Sequence, residues 1–452
     1  MRRILSHYVS SPEFTLQILE IALIAGGCSA AIFYCFSGVA PPLGLASSAA
    51  ILSLGIIGLM YSGGLYRDEA LLDLRRALAR IAMIAMPIFG LAVWTTGELA
   101  RHTSLPIYPY RWQWTGLLTG IWVLSAIAMR LVYQNIYRSG LWTRRVSLIG
   151  TSIDFRKLDD LARLSRDRFR VVGLLDPGLG DAGQNAGSVE DAFFADDSVS
   201  EVVVAIGHSH IPWDALARRK ISGVRVTDFL DFYERESRQV CIENLREDWI
   251  ALSRGFRSSG ALRRSFDIVF AALVFVLTSP LLLLTMAVIK FEDGGSIFYG
   301  QERTGLQGKP FVLYKLRSMR QDAERDGKPA WASEGDSRIT RVGRLIRKLR
   351  IDELPQLVNV LRGEMTMIGP RPERPFFVRQ FSETIPFYDY RHAVKPGITG
   401  WAQVSFRYGA SQEDTVRKLS YDLYYVRNRS LLLDLTILLK TIRVVLSGEG
   451  AR

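Results

Sequence analysis

Apolar runs, each about 20 residues long, dominate the first third of this chain at 14–36, 43–65, 77–97 and 112–133. That length is what an α-helix needs to cross the hydrocarbon core of a bilayer. Lipid offers no water to an exposed N–H or C=O, so such runs must fold as helices whose backbone groups are satisfied internally. The first run shows no small-residue cleavage pattern and is followed by a second. We therefore read it as a retained helix and not as a removed signal peptide.

The loops set the orientation. Arg2 and Arg3 precede the first run, Arg67, Arg75, Arg76 and Arg80 fall between the second and third, and Arg138, Arg144 and Arg145 follow the fourth. The loop at 38–42 carries no charge, and the one at 98–111 carries Arg101 and Arg111. By the positive-inside rule both ends of the bundle are cytoplasmic. Trp94, Tyr108, Tyr110, Trp112 and Trp114 fall at the outer boundaries, as an aromatic belt would. Glu20 and Arg130 are the ionisable residues nearest the interior of the runs. They are either functional or close enough to a span end to snorkel to the interface, and we take the second as the expectation.

The 452 residues suggest two or three domains, and 48% apolar with 23% charged residues is high in hydrophobicity for a soluble chain. The net charge of +12 clusters near the apolar runs, which fits an anionic inner leaflet. Nucleic acid is not expected as a partner, because no helix-turn-helix, zinc-finger or RNA-recognition pattern accompanies the charge. Cys28, Cys35 and Cys241 form no CxxC, so neither a zinc site nor a disulfide framework is indicated. His208 and His210 are two apart, which would point them to opposite faces of a strand, and they read as solvated loop.

Downstream, strand and helix patterns alternate. Residues 145–150 form an apolar strand, 155–165 a helix, 169–175 a strand and 199–207 a buried strand, with an acidic glycine-rich loop at 176–185. This is the pattern of a small parallel sheet. The first turn, Gly150-Thr-Ser-Ile-Asp, lacks the GxGxxG that a dinucleotide pyrophosphate requires, so no dinucleotide is expected there. Residues 224–237 read as a helix leading to a linker, and 254–264 is short, basic and Ser/Gly-rich. A fifth apolar run, 268–289, has Arg263 and Arg264 before it, Lys290 after it, and Ser279-Pro280 near its centre. Proline kinks a helix, and the serine can bond a freed carbonyl. The run is either a kinked spanning helix or one that bends back, which keeps the basic residues at both ends on one side.

Residues 350–375 carry the chemistry. Asp352 and Glu353 stand at the start of an apolar-periodic stretch, with Pro355 in its expected first turn and Gly363 at its end. Acids at a helix start are common compensation for its dipole. Set among Arg347, Lys348, Arg350, Arg371 and Arg374, this pair also suits phosphoryl transfer. One acid would attack phosphorus and the other would hold Mg²⁺, which prefers one or two carboxylates plus substrate phosphates.

These residues resemble the catalytic core of the monotopic phosphoglycosyl transferases, the bacterial sugar transferases. The matching segments are Lys315-Leu-Arg-Ser-Met319, Asp352-Glu-Leu-Pro-Gln356, Ile368-Gly-Pro-Arg-Pro372, Lys395-Pro-Gly-Ile-Thr-Gly-Trp401 and Tyr421-Asp-Leu-Tyr-Tyr425, in one order across roughly the last 190 residues. Leu316 stands where phenylalanine is common in the family. The resemblance, to the large subgroup, implies three parts. They are an α-helical membrane bundle (1–140), a small α/β degenerate Rossmann-like module (141–253) that serves dimer packing or regulation, and a mainly α monotopic catalytic domain (254–452). In that last domain the Ser279-Pro280 break belongs to a re-entrant membrane helix. It further implies a location in the bacterial inner membrane, with the catalytic domain on the cytoplasmic face.

The implied reaction moves a sugar 1-phosphate from a UDP-sugar to undecaprenyl phosphate, releasing UMP, as the first membrane step of exopolysaccharide or related glycan assembly. Asp352 matches the nucleophile and Glu353 the Mg²⁺ ligand. Lys315 and Arg317 lie in the Lys-x-Arg-Ser-Met segment, Arg371 matches the arginine between two prolines, and Asp422 the later acid. Lys315, Arg371 and Asp422 join the acids as catalytic candidates, and Arg317 and Arg374 are donor-binding candidates. Asp422 either assists the lipid phosphate or the metal, or forms a structural salt bridge. The turn at 397–400 forms an anion nest or shapes an interface, and the amphipathic 431–446 lies on the bilayer or packs as a core helix. The expected partners are UDP-sugar, undecaprenyl phosphate, membrane lipid and a second copy of the chain. A nonenzymatic membrane scaffold or regulator is the alternative class. A one-step transmembrane transferase fits less well, because it would need intramembrane carboxylates.

Overall fold

The computed structural model describes residues 2–4, 7–9, 11–36, 42–66, 70–71, 73–101, 111–140, 143–165, 168–176, 193–205, 211–246, 260–320, 336, 338–406 and 411–447. The expectations for Tyr108, Tyr110, His208, His210, the loop at 177–185 and the linker at 254–259 lie outside these residues. Apart from a few N-terminal residues, the chain divides into one compact unit ending at Phe232 and another beginning at Tyr233.

In the first unit each predicted apolar run is helical: α1 (Ser11–Phe36), α2 (Pro42–Ser62), α3 (Leu74–Arg101) and α4 (Arg111–Arg138). By length and composition the segments Leu74–Glu98 and Thr115–Arg138 are long and apolar enough to cross a membrane, and the apolar parts Gln17–Ala30 and Ala46–Ser62 are shorter. Hydroxyls inside these helices bond their own backbone: Ser53 Oγ donates to Ala49 O at 2.7 Å and Thr96 Oγ1 to Ala92 O at 2.7 Å. A polar side chain in an apolar helix is thereby satisfied locally. Leu52, Ile56, Met60, Ile81, Ile84, Ile88 and Trp122 form the bundle core. Glycine at 55 lets α2 approach α3, since a Cβ there would lie 2.4 Å from a Leu91 methyl.

Glu20 and Arg130 do not snorkel. They form an ion pair in which both side chains are 0% exposed, and Arg130 also lies 5.4 Å from the centre of the Tyr66 ring. Each charge finds the other more cheaply than either reaches water, so pairing replaces the expected excursion to the interface.

The same unit holds a four-stranded, all-parallel sheet of β1 (Arg144–Ile149), β2 (Phe169–Leu175), β3 (Glu201–Val204) and β4 (Arg225–Asp228), in the order β2-β1-β3-β4. Helix α5 (Ser152–Leu164) follows β1 and α6 (Trp213–Ile221) follows β3. At the β1–α5 turn Thr151 and Asp154 close a capping box. A Cβ on Gly150 would lie 3.0 Å from the Ala205 methyl, so that turn is filled by the chain itself. Helix α7 (Phe229–Ser237) contains the division between the units.

The second unit begins at Tyr233, and the expected boundary at residue 254 lies outside the described residues. Its first segment packs on a later helix: Val240 N donates to Ser420 O at 3.1 Å, Gln239 Nε2 to the Tyr421 hydroxyl at 2.9 Å, and Arg427 and Asn428 both reach the buried Glu234. The fifth apolar run is α8 (Ala261–Asp293), a 33-residue helix with Pro280 inside it, and its Ala261–Glu292 portion is also long and apolar enough to cross a membrane. An antiparallel hairpin follows, β5 (Phe298–Thr304) and β6 (Pro310–Leu316). Then come α9 (Arg341–Lys348), a 3₁₀ turn (Ile351–Glu353), α10 (Gln356–Arg362), β7 (Thr366–Ile368) and α11 (Pro375–Thr384). A second 3₁₀ segment (Tyr388–Ala393), β8 (Gly397–Thr399) pairing with β7, α12 (Trp401–Ser405), α13 (Gln412–Asn428) and α14 (Leu431–Ser447) complete it.

Candidate active site

The acidic pair sits in a turn of its own and not in the first turn of α10. Proline at 355 has no N–H to give the Ile351 carbonyl, so the α-helical bond is lost there. Leu354 N donates to Ile351 O at 3.2 Å instead, a 3₁₀ bond. Arg350 enters the turn in the left-handed region, φ 56°, a conformation that costs a non-glycine residue free energy and recurs at functional sites. Beyond the turn α10 ends as its sequence suggests, at Gly363 with φ 84°. Arg264 on α8 caps that end, donating to Val360 O at 2.6 Å and Leu361 O at 2.7 Å.

Three cations converge on Glu353. Arg371 Nη2 donates to Oε1 at 2.8 Å, Lys315 Nζ lies 3.5 Å from the same oxygen, and Arg350 Nη1 lies 3.5 Å from Oε2. They come from separate elements. Lys315 stands on β6, opposite Tyr299 of β5, and that hairpin is fixed to α10 through Asn359, whose amide bonds Val312 O at 2.7 Å and Tyr314 N at 3.1 Å. Arg371 lies in the loop after β7. Burial alone would raise the Glu353 carboxyl, but Arg371, Lys315 and Arg350 outweigh it and hold the group well below the usual carboxylate range. Burial lowers the Lys315 ammonium, with Glu353 opposing.

Asp352 is as buried as its neighbour, 7% against 9% exposed, but its carboxylate accepts no hydrogen bond among the described residues. Burial raises its carboxyl above the ordinary range, with Lys315 opposing most strongly. The pair therefore divides into one pinned carboxylate and one unpinned. Among the described residues no group of three His, Cys, Asp or Glu gathers as a metal cage. Two adjacent carboxylates among these cations fit Mg²⁺ only in company with substrate phosphates, which is how Mg²⁺ is commonly held.

The other candidates are placed as follows. Asp422, on α13, is 2% exposed and accepts from Arg391 Nη2 at 2.8 Å, so it meets the cluster through an intermediary. Arg317, just past β6, is 7% exposed, and its backbone N–H donates to Ile297 O at 2.9 Å. Arg374 is the half-buried residue that precedes α11. Residues 397–399 form strand β8 and not the expected turn: β8 pairs with β7, and Gly397 N donates to Pro370 O at 2.9 Å. Helix α14 has one packed face and one exposed: Leu433 and Ile437 are fully buried while Leu431, Leu435 and Ile442 are exposed. Lys440 lies 4.1 Å from the centre of a Trp401 ring.

Arg391, Tyr388, Arg264 and Asp267 escaped the sequence reading. Asp267 of α8, 5% exposed, accepts from Thr366 Oγ1 at 2.8 Å and Met367 N at 2.9 Å. The signal for Arg391 was local: the Tyr388-x-x-Arg391 spacing in an aromatic, charged segment sets ring and guanidinium on one side of a helical turn.

The chain is similar to known proteins over much of its length. A family model described as bacterial sugar transferase matches residues 258–448. The UDP-N-acetylgalactosamine-undecaprenyl-phosphate N-acetylgalactosaminephosphotransferase of Aeromonas hydrophila is 46% identical over 237 residues, 52% of this chain but only 56% of that protein. The UDP-glucose:undecaprenyl-phosphate glucose-1-phosphate transferase of Caulobacter vibrioides is 43% identical over 192 residues, 42% of this chain and 71% of the relative. The undecaprenyl-phosphate glucose phosphotransferase of Komagataeibacter xylinus is 32% identical over 387 residues, 78% of this chain and 70% of the relative. That last match extends well beyond the acidic site, and together with the family match it makes this chain a member of the bacterial sugar transferase family.

Proposed function

We propose that this chain moves a sugar 1-phosphate from a UDP-sugar to undecaprenyl phosphate. The observation that carries the proposal is the division within the acidic pair: Glu353 pinned by three cations, Asp352 beside it unpinned. A carboxylate oxygen of Asp352 attacks the β-phosphorus. The bond from that phosphorus to the bridging oxygen breaks, and UMP leaves with the electron pair. The sugar phosphate stays on Asp352 as an acyl phosphate. A phosphate oxygen of undecaprenyl phosphate then attacks the same phosphorus and frees the carboxylate, giving undecaprenyl diphosphate sugar.

Arg371, Lys315 and Arg350 exceed Glu353 in charge, which suits a pocket awaiting a diphosphate. Glu353 would hold Mg²⁺, which when bound neutralises charge on the phosphoryl oxygens. Asp422 acts through Arg391, and Arg317 and Arg374 supply further positive charge toward the donor.

We also infer that α8 bends back and does not cross. A straight helix of its length would reach about 50 Å. Both of its ends nevertheless engage the same unit: Arg264 caps α10, while Glu292 Oε1 accepts from Val342 N of α9 at 3.1 Å. Leu282 and Ile289 pack with Leu316 and Ile346. Cysteines introduced at Gly260 and Ser296, in a background without Cys28, Cys35 and Cys241, should both label only from the cytoplasm. Labelling from opposite sides would show a crossing helix. Association of two chains through the parallel-sheet module belongs to the same reading, and light scattering in detergent tests it.

The decisive experiment offers radiolabelled UDP-sugars, UDP-glucose and UDP-N-acetylgalactosamine first, to membranes with undecaprenyl phosphate. Labelled lipid, released UMP and a sugar phosphate bound to protein are expected. Lipid product without any protein adduct would favour one-step exchange, and no turnover of any donor would favour a scaffold.

A further inference from the structure

The loop that presents Arg371 is held along every carbonyl it offers. Pro370 O accepts from Gly397 N at 2.9 Å, Arg371 O from Arg391 Nη2 at 2.9 Å, Pro372 O from Arg303 Nη1 at 3.2 Å, and Glu373 O from Thr304 N at 2.9 Å. Gly369 N in turn donates to Thr399 O at 2.8 Å. The approach to β8 is so close that a Cβ on Gly397 would lie 2.0 Å from Gly369 N. Gly397 N and Thr304 N are backbone donors, and Arg303 is a side-chain donor at the end of β5. The Arg371 carbonyl is met by a side chain, that of Arg391, 20 residues away.

That side chain is itself over-determined. Arg391 is 6% exposed. Its Nη1 donates to the Tyr388 hydroxyl at 2.7 Å, and its Nη2 is shared between Arg371 O and Asp422 Oδ2, the latter at 2.8 Å. Its guanidinium lies 5.2 Å from the centre of the Tyr388 ring. Asp422 and Tyr388 are each 2% exposed, so Nη1 and Nη2 meet two buried acceptors besides the loop carbonyl, while the buried Nε meets no acceptor among the described residues.

We propose that Arg391 is a positioning residue for the transferase reaction: it grips the Arg371 carbonyl and so aims the Arg371 guanidinium at Glu353 and the phosphoryl oxygens. Asp422 serves as the counter-ion that orients Arg391. A misplacement of about 1 Å in a charge-stabilising group can cost a hundredfold in rate, and a guanidinium held in advance requires no reorganisation during the reaction. A lysine at 391 keeps the charge beside Asp422 but lacks the planar fork that serves three acceptors together.

This inference rests on the reading of Arg371 as part of the reacting site, and a double-mutant cycle separates the two. The full chain is placed in nanodiscs with undecaprenyl phosphate and whichever UDP-sugar turns over, and UMP release is followed. Arg391→Lys should lower kcat about 10- to 100-fold while the donor KM changes less than about threefold. In an Arg371→Ala background the same substitution should cause no further loss, because its route runs through Arg371. Hydrogen exchange should quicken at the Gly397 amide, which bonds Pro370 O, while global melting stays within about 2 °C.

Fully additive losses in the cycle would overturn the proposal, and so would unchanged exchange at Gly397. If Arg371→Ala alone keeps full turnover, the reading of the site falls, while the exchange measurement still decides whether Arg391 holds the loop. Should Arg391→Lys fail to fold, Tyr388→Phe removes one acceptor of the fork and enters the same cycle. A smaller loss of kcat, again absent beside Arg371→Ala, supports positioning, and a loss that persists there overturns it.

Discussion

Glu20 and Glu353 are both glutamates withdrawn from water and met by arginine, and the difference between them separates architecture from chemistry. Glu20 faces a single arginine, both side chains are wholly buried, and the charges balance. Glu353 faces Arg371, Lys315 and Arg350 beside a second carboxylate, with side-chain exposure from 11 to 26% across the group. A charge-balanced, sealed pair makes no net demand for an anion. An excess of cations at the edge of solvent is a standing demand for an anion, and the diphosphate of the proposed donor would meet it beside the proposed nucleophile. Sequence proximity is also opposite in the two places. The bundle pair is 110 residues apart, whereas Arg350 and Glu353 are three apart.

The largest effect lies in the catalytic group. Asp352→Asn keeps shape and removes the nucleophile, so turnover should fall at least about 10³-fold with membrane insertion intact. Glu353→Gln should also be severely impaired, and partial recovery at high Mg²⁺ would support its metal role. A freely active Asp352→Asn protein, measured by UMP release, would remove the chemical half of the contrast.

The bundle pair should show the converse. Glu20→Gln leaves Arg130 charged and buried, which costs about 3–5 kcal/mol, and pairing it with Arg130→Met should restore most of that loss. Turnover per folded molecule should not change in either variant. Thermal unfolding in detergent reads the first outcome. A loss of kcat without a loss of stability would make Glu20 functional and dissolve the distinction.

The sequence makes the five apolar helices, most of the alternating strand and helix order and the segments around Lys315, Asp352 and Arg371 legible, because each is written in local pattern; β4 is the exception, since 224–237 read as one helix and Arg225–Asp228 is a strand. Pairings over long separations are not. Glu20 looks like a residue that can snorkel until Arg130 is known to lie at its depth, and Arg391 looks like one of many basic residues until the loop after β7 is folded over it. Pro355 carried a half-read message: it marks a helix start, but the missing N–H moves the acids into a separate 3₁₀ turn. The start of the second unit was hidden for a similar reason. Residues 234–240 read as helix and linker, yet Glu234 is 2% exposed beneath Arg427 and Asn428.

That boundary gives a third prediction. A chain shortened to begin at Tyr233 keeps this segment, and one shortened to begin at Ser258 loses it. Without Glu234, Arg427 and Asn428 lose a buried partner, so the shorter form should be less stable by about 2–4 kcal/mol. Every proposed chemical group lies after Arg263, so both should retain measurable transferase activity once folded, and both should lose association if the sheet module carries it. Equal melting of the two forms would return the boundary to residue 254.

The smallest expected effect is a pH dependence that belongs to the catalytic unit and not to the membrane bundle. Burial, with the neighbouring Arg391 charge, lowers His392 from its ordinary value to about 4. The unfolded chain, with an imidazole pKa near 6.5, therefore binds a proton that the folded chain refuses. Stability from this group is complete above about pH 6.5, declines as pH falls, and is lost once pH passes below about 4. Linkage puts the loss at about 1 kcal/mol by pH 5.5. Replacing the ring by a group that never titrates, His392→Gln, should flatten that part of the stability profile while the Glu20–Arg130 contribution is unmoved. Melting curves between pH 8 and pH 5.5 decide it: identical slopes in both proteins would mean that the imidazole meets water and that this face of the 3₁₀ segment is less closed than Arg391 requires.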